Sequence, residues 1–293
     1  MKSFINVCKS EFYKLRTQKS AIILSIVSIL IYPIVTSLAI FILKFASTTD
    51  LMKGKYTEVQ LLQMLGWSNI SVGEGSAAIC VMVFAILYFT TEFQSGSISS
   101  TLISTPDRIK LYFAKFTALF IFVYIIGIIG EILAYLSTIP FLLNVEGQNL
   151  LLTITSPDNF RFILGGPLML AFVGVFFLAL GCLIRSTAAS IVIYFVIAFV
   201  LPGGLSSAAM AMDSTHKDLA QLISGVQAFL PLSGSDAFLS SASSNSAAAV
   251  SSDGRVLDYI VTLTNLQGLL VFSLWVVVIT FFAVFFFKKR DIK

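Results

Sequence analysis

Side chains able to do chemistry are few and scattered in this chain. His216 is the only histidine, and Cys8, Cys80 and Cys182 lie far apart. None of the four shares the short spacing by which Cys and His hold zinc or run a redox couple. Cys80 and Cys182 sit in apolar runs and read as small packing residues. With a single histidine, a Ser/His/Asp relay is poorly supplied. No G-x-x-x-x-G-K-[ST] phosphate loop occurs, so the chain has no visible means of binding ATP by that route. What remains is a charge in an unusual place. Glu131 is the sole charged residue between Phe116 and Leu143. A carboxylate deep in an apolar span is costly, and marks a functional hypothesis by default. It could line an aqueous cavity, contact a cationic substrate, or pair with Lys44 or Arg161. The plainer alternatives are a protonated acid or a polar pocket between helices.

The elements that would position such residues are set by lipid. Of the 293 residues 57% are hydrophobic and only 12% charged, against about 25% charged in ordinary globular domains. Mean hydropathy is +0.93. A span needs about 20 mostly apolar residues. Six segments qualify: Ala21–Leu43, Gly75–Thr91 (extending back through Trp67–Val72), Leu111–Leu143, Ile163–Ile184, Thr187–Leu201 and Leu266–Phe287. The fifth is expected to stop at Pro202. The fold class is therefore all-α integral membrane. Gly165, Gly166, Gly174 and Gly181 suit close packing of the fourth span more than a substrate path.

Lys and Arg choose the orientation. With the N-terminus inside, 13 of the 19 basic residues fall on inner segments and ten of the 15 acidic residues on outer ones. Both termini are thus expected in the cytoplasm. The first apolar run, 23 residues without a clear cleavage site, reads as a signal anchor rather than a removed leader.

Three segments lie outside the spans. Residues 1–20 place Phe4, Cys8, Phe12 and Leu15 at helical intervals, with Lys2, Lys9, Glu11, Lys14 and Arg16 over the remaining surface. This predicts an amphipathic helix in the inner interface, or more plainly a basic flank. The rest, 21–293, reads as one six-span domain. Its longest outer segment, 202–265, carries Leu219, Leu222, Ile223, Val226, Phe229 and Leu230 on one face of a helix, re-entrant or packed at the outer mouth, with a plain linker as the alternative. The low-complexity run Leu239–Arg255 follows. The third segment, Thr90–Lys115, is inner and polar. Ser95 and Gly96 can cap a helix that Pro106 stops, with Ile98, Thr101, Leu102 and Thr105 on one face. Such a face suits a docking contact; a solvated loop is the alternative.

The pattern E-F-x-x-G-S-x-x-x-x-L-x-x-x-P-x-R, then Lys115, resembles the segment after the second span of ABC-2 type transporter permeases. The matching positions are Glu92, Gly96, Leu102, Pro106, Arg108 and Lys115, and Ser97 stands where Thr is usual. The resemblance extends to Glu11–Arg16, the six spans and the large loop before the last. It implies that the segment holds a coupling helix seated in a cytoplasmic ATPase, with Glu92, Gly96, Ser97, Ile98, Thr101, Leu102 and Arg108 as coupling residues. ATP and Mg would then bind the partner, and this chain would carry no cofactor and no catalytic or metal site.

The implied assembly has two ATPase copies and a second permease, identical or similar, in a bacterial cell membrane, with no nucleic acid. The implied role is export of an amphipathic or hydrophobic molecule. An antimicrobial peptide (as in lantibiotic or bacitracin immunity), a drug or a lipid-like compound would fit, and Glu131 is the candidate pathway residue. An ion-coupled secondary transporter using Glu131 is the alternative. A lipid-modifying membrane enzyme lacks a surface cluster of Asp, His or Cys.

Overall fold

The fold is described from a computed structural model, over residues 4–48, 58–104, 106–142, 161–213, 216–239 and 261–289. Every regular element among these residues is helical. In chain order they are α1 (Phe4–Thr17), α2 (Lys19–Thr48), α3 (Glu58–Gln94), α4 (Ser97–Ser104) and α5 (Arg108–Leu142). A π-helical turn (Arg161–Gly165) leads into α6 (Gly166–Ile184), and α7 (Thr187–Phe195) runs through a second π-helical turn (Val196–Val200) into α8 (Leu201–Asp213). α9 (Lys217–Ala228), α10 (Pro231–Leu239) and α11 (Asn265–Lys289) complete the set.

Six stretches are long and apolar enough to cross a membrane: Lys19–Ile42, Gly75–Gln94, Arg108–Pro140, Ile163–Ile184, Thr187–Met212 and Asn265–Lys289. They match the six expected spans, with two differences. α3 begins well before Trp67, at Glu58. The fifth span does not stop at Pro202. Proline is tolerated in the first turn of a helix, where its missing N–H would be unpaired anyway. Here Pro202 is the second residue of α8, and the π turn before it absorbs the break.

The chain divides into two compact units. The first comprises 1–187 and 280–293. In it α2 lies along α3 and α5, α6 lies along the same two helices, and α1 crosses α5. α6 is the central helix, since 78% of its span is buried, against 22% for α2. Apolar area cannot drive helices together in lipid, so close packing must. The glycines allow it. A Cβ on Gly174 would lie 3.2 Å from Val81 of α3, and one on Gly181 would lie 3.5 Å from the Ile86 backbone. Gly127 of α5 makes room for Pro167, and Gly130 for the ring of Tyr32.

The second unit is 188–279. α8 packs on α9 through Ala209, Ala220 and Ile223. α10 meets α11 backbone to backbone, where a Cβ on Gly234 would lie 2.9 Å from the Gly268 carbonyl oxygen. The Trp275 indole N–H donates to the Phe229 carbonyl at 2.9 Å. The helix expected within 202–265 is present as α9. Its apolar row Leu219, Leu222 and Val226 is exposed, while the packed side is Ala220 and Ser224. Nearly all of the low-complexity run, from residue 240 on, lies outside the described residues.

Candidate functional site

At the end of the first unit where α1 and α4 lie, five polar side chains from three helices converge. Glu11 of α1 is 1% exposed, as is Lys115 of α5. The Lys115 ammonium donates to Glu11 Oε2 at 2.8 Å and to Glu92 Oε1, at the end of α3, at 2.7 Å. Lys14 completes a ring, reaching Glu11 Oε1 at 2.7 Å and Glu92 Oε1 at 3.3 Å. The Tyr88 hydroxyl donates to Glu11 Oε2 at 2.7 Å, and its ring lies under the Lys115 ammonium, 4.5 Å from the centroid. Two carboxylates face two ammonium groups, so the cluster is neutral as a whole.

Charges leave water only where partners and hydrogen bonds compensate for the lost hydration. Burial alone would raise the Glu11 pKa, but Lys115 and Lys14 outweigh it and hold the carboxyl below the usual range. Lys14 shows the mirror image: burial would lower its pKa, yet Glu11 and Glu92 raise it. The cluster ties α1 to the ends of α3 and α5. Around it Val7, Leu111 and Ala114 form a buried apolar patch with Cys8 and Leu102 packed on it. Burial, with help from Glu11, pushes the Cys8 thiol up, so it serves as packing rather than as a nucleophile.

α4 hangs from this joint. α3 ends at Gln94, and Gly96 follows at φ +68°. That left-handed conformation closes a helix C-terminus with little strain only for glycine. The Ser99 amide and hydroxyl both donate to the Gly96 carbonyl, at 3.3 and 2.7 Å, opening the new helix. Beyond Pro106, Asp107 caps α5 by accepting from the Ile109 and Lys110 amides at 3.2 and 3.3 Å. Hydrogen bonding from the Lys110 amide, with smaller help from its side chain and Ile109, holds the Asp107 carboxyl below its ordinary range.

The structure gives the sequence-derived coupling residues several different roles. Glu92 belongs to the ion cluster. Ile98 is buried, Leu102 is half-buried on the α1–α5 patch, and Thr101 is partly buried. The face singled out by periodicity is thus already occupied from within the chain, and Thr105 lies outside the described residues. Arg108 donates from Nη1 to the Phe287 carbonyl at 3.3 Å, satisfying a C-terminal carbonyl of α11. Phe287 also meets Phe89 and Phe93 edge-on. The open side of α4 carries Ser97, Ser99, Ser100 and Ile103, and Ile103 is 86% exposed.

On α1 the buried side is Val7, Glu11 and Leu15, while Phe4 and Phe12 of the expected apolar face are exposed. Phe12 contacts Phe122 of α5 edge-on, ring centroids 6.1 Å apart. Lys2 lies outside the described residues. Glu131 is fully buried within the first unit, one residue from the Gly130–Tyr32 contact. The side chains of Lys44 and Arg161 are outside the described set.

Periodicity missed Glu11, Lys14 and Tyr88. One signal existed: Glu11 stands four residues from both Val7 and Leu15, on the row that turned out to be buried. A family model described as ABC-2 family transporter protein matches residues 7–201, from α1 to the start of α8. No curated protein matches the chain.

Proposed function

The chain belongs to the ABC-2 transporter family, and from that premise we propose that it is the permease of an exporter driven by a separate ATPase. α4 is the coupling helix. It docks through its open side, Ser99, Ser100 and Ile103, while Ile98, Thr101 and Leu102 hold it to its own chain. Glu92 and Arg108 then act as internal struts rather than as contacts to the partner. ATP and Mg bind the ATPase, two copies of which serve two permease subunits, this chain paired with itself or a similar one. The termini and α4 face the cytoplasm of a bacterial cell, as the bias of Lys and Arg supports.

The observation that carries this reading is the two-sided character of α4. One side is fastened to α1 and α5, and the other presents an isoleucine 86% exposed beside serine hydroxyls. An isolated large apolar side chain at that exposure, next to an ion-clamped joint, suits insertion into a partner's cleft. Push on α4 reaches α1, α3 and α5 together through the cluster.

The substrate is an amphipathic or hydrophobic molecule, such as an antimicrobial peptide, a drug or a lipid-like compound leaving the cell. Glu131 favours a cationic group on it. The exporter reading is tested by a photoreactive amino acid placed at position 103 or at position 98. Position 103 is expected to cross-link a soluble chain bearing G-x-x-x-x-G-K-[ST], and position 98 only its own chain. Cross-links to lipid alone from position 103 would sink the docking assignment.

A further inference from the structure

We infer that residues 196–207 of the fifth span form a built-in hinge, about which α8 and α9 swing as one lever relative to α7. This goes beyond the coupling reading and does not depend on the partner's identity. Four independent weaknesses fall in this one short stretch. First, Val196–Val200 is π-helical, and the Leu201 amide bonds back to the Val196 carbonyl, five residues away. Such turns are wider and less regular than α-helix, and they recur at functional sites. Second, Pro202 has no N–H to give to the turn before it, so that turn is held by fewer bonds.

Third, Gly203 and Gly204 follow directly, and glycine has the lowest helix preference of residues other than proline. Within this chain neither glycine is required for space or for backbone shape. A Cβ on either would meet nothing within 4 Å, and neither has a positive φ. Inside the chain, freedom of the backbone is the property left to explain them. Fourth, the hydroxyls of Ser206 and Ser207 both donate to the Gly203 carbonyl, at 3.0 and 2.7 Å. Serines bonded back in this way loosen and bend helices. They also keep that carbonyl satisfied if the helix opens there, which a lipid environment requires.

The lever beyond the hinge is well defined. Ala209 of α8 and Ala220 of α9 are both buried against each other with Ile223. The His216 amide donates to the Met212 carbonyl at 2.7 Å, and the Ala220 amide to the His216 carbonyl at 3.1 Å. Motion at the π turn therefore carries α9 along with α8.

Because alanine fits both glycine positions, the test separates a hinge from a packing role. Spin labels go on cysteines at Val192 and Met210, both well exposed, in the full chain in nanodiscs with the native cysteines replaced. The sites are about 27 Å apart along a straight helix. The native hinge is expected to give a broad distance distribution. In Gly203→Ala/Gly204→Ala, with less backbone freedom, it should narrow about twofold. Pro202→Ala, which restores an amide donor, is the second variant and should narrow it as well. Distributions as wide in both variants as in the native sequence would overturn the hinge.

Discussion

Lys115 is the residue on which the ion cluster turns, because among the described residues it is the one cation touching both carboxylates and the Tyr88 ring. Lys115→Met should destabilise the chain by about 3–5 kcal/mol, since it strands buried charge. Adding Glu11→Gln removes the stranded carboxylate and leaves Lys14 paired with Glu92. The double variant should therefore melt above Lys115→Met alone, a coupling that a thermal double-mutant cycle reads directly. The Glu11 pKa, lowered in the folded state, also fixes a sign. Its stabilisation is present above the ordinary carboxyl value of 4.5 and is lost as pH falls through the lowered one. The melting gap between native protein and Glu11→Gln should accordingly close as pH falls below that ordinary value of 4.5. A gap that stayed constant would remove Glu11 as a charged member of the cluster. None of this was legible locally. The motif named Glu92 and Lys115, but Lys115 meets Glu11 across 104 positions, and helical period alone does not say that a charged row is the buried one.

At the scale of elements, the segment between Gly96 and Pro106 reads in sequence as a short helix or a solvated loop, and the structure makes it the helix. Its orientation was not foreseen. A short helix with apolar residues on two sides, Ile98 and Leu102 on one and Ile103 on the other, gives no local clue to which side is covered at home. The two sides now predict different defects. Leu102→Asp puts a charge on the Val7–Leu111–Ala114 patch and should lower stability by several kcal/mol, about 2–4. Ile103→Asp should leave melting unchanged and abolish stimulation of the partner's ATP hydrolysis. Equal effects of both on melting, with hydrolysis intact, would reverse the assignment. The fifth span teaches a related lesson. Pro202 reads as a stop in sequence, yet the helix passes it because the residue lies within the first turn of α8, after a π turn that tolerates the break. Local rules found the weak point and misjudged its consequence.

At the scale of the whole molecule, composition alone was enough for the class. Six apolar stretches and a charged fraction of 12% leave little besides a helical membrane protein. Which helix is central to the first unit was not legible, because α6 and α2 are about equally apolar, at hydropathy 2.5 and 2.4, and differ in burial, 78% against 22%. The glycines of the fourth span were the one pointer. Orientation rests on charge bias and is testable in intact cells with a membrane-impermeant thiol reagent. A cysteine at the exposed His216 should be labelled from outside, and one at Ser100 only after permeabilisation. The reverse pattern would place α4 where no cytoplasmic ATPase could reach it.

The most direct measurement is purification of the tagged chain from its own membranes in gentle detergent, with mass spectrometry of what accompanies it. The expected result is a stoichiometric soluble ATPase carrying a phosphate loop, absent from the Ile103→Asp preparation. If the chain instead arrives alone and drives solute movement in liposomes from a proton gradient, the exporter account fails. Glu131 would then become the centre of the mechanism.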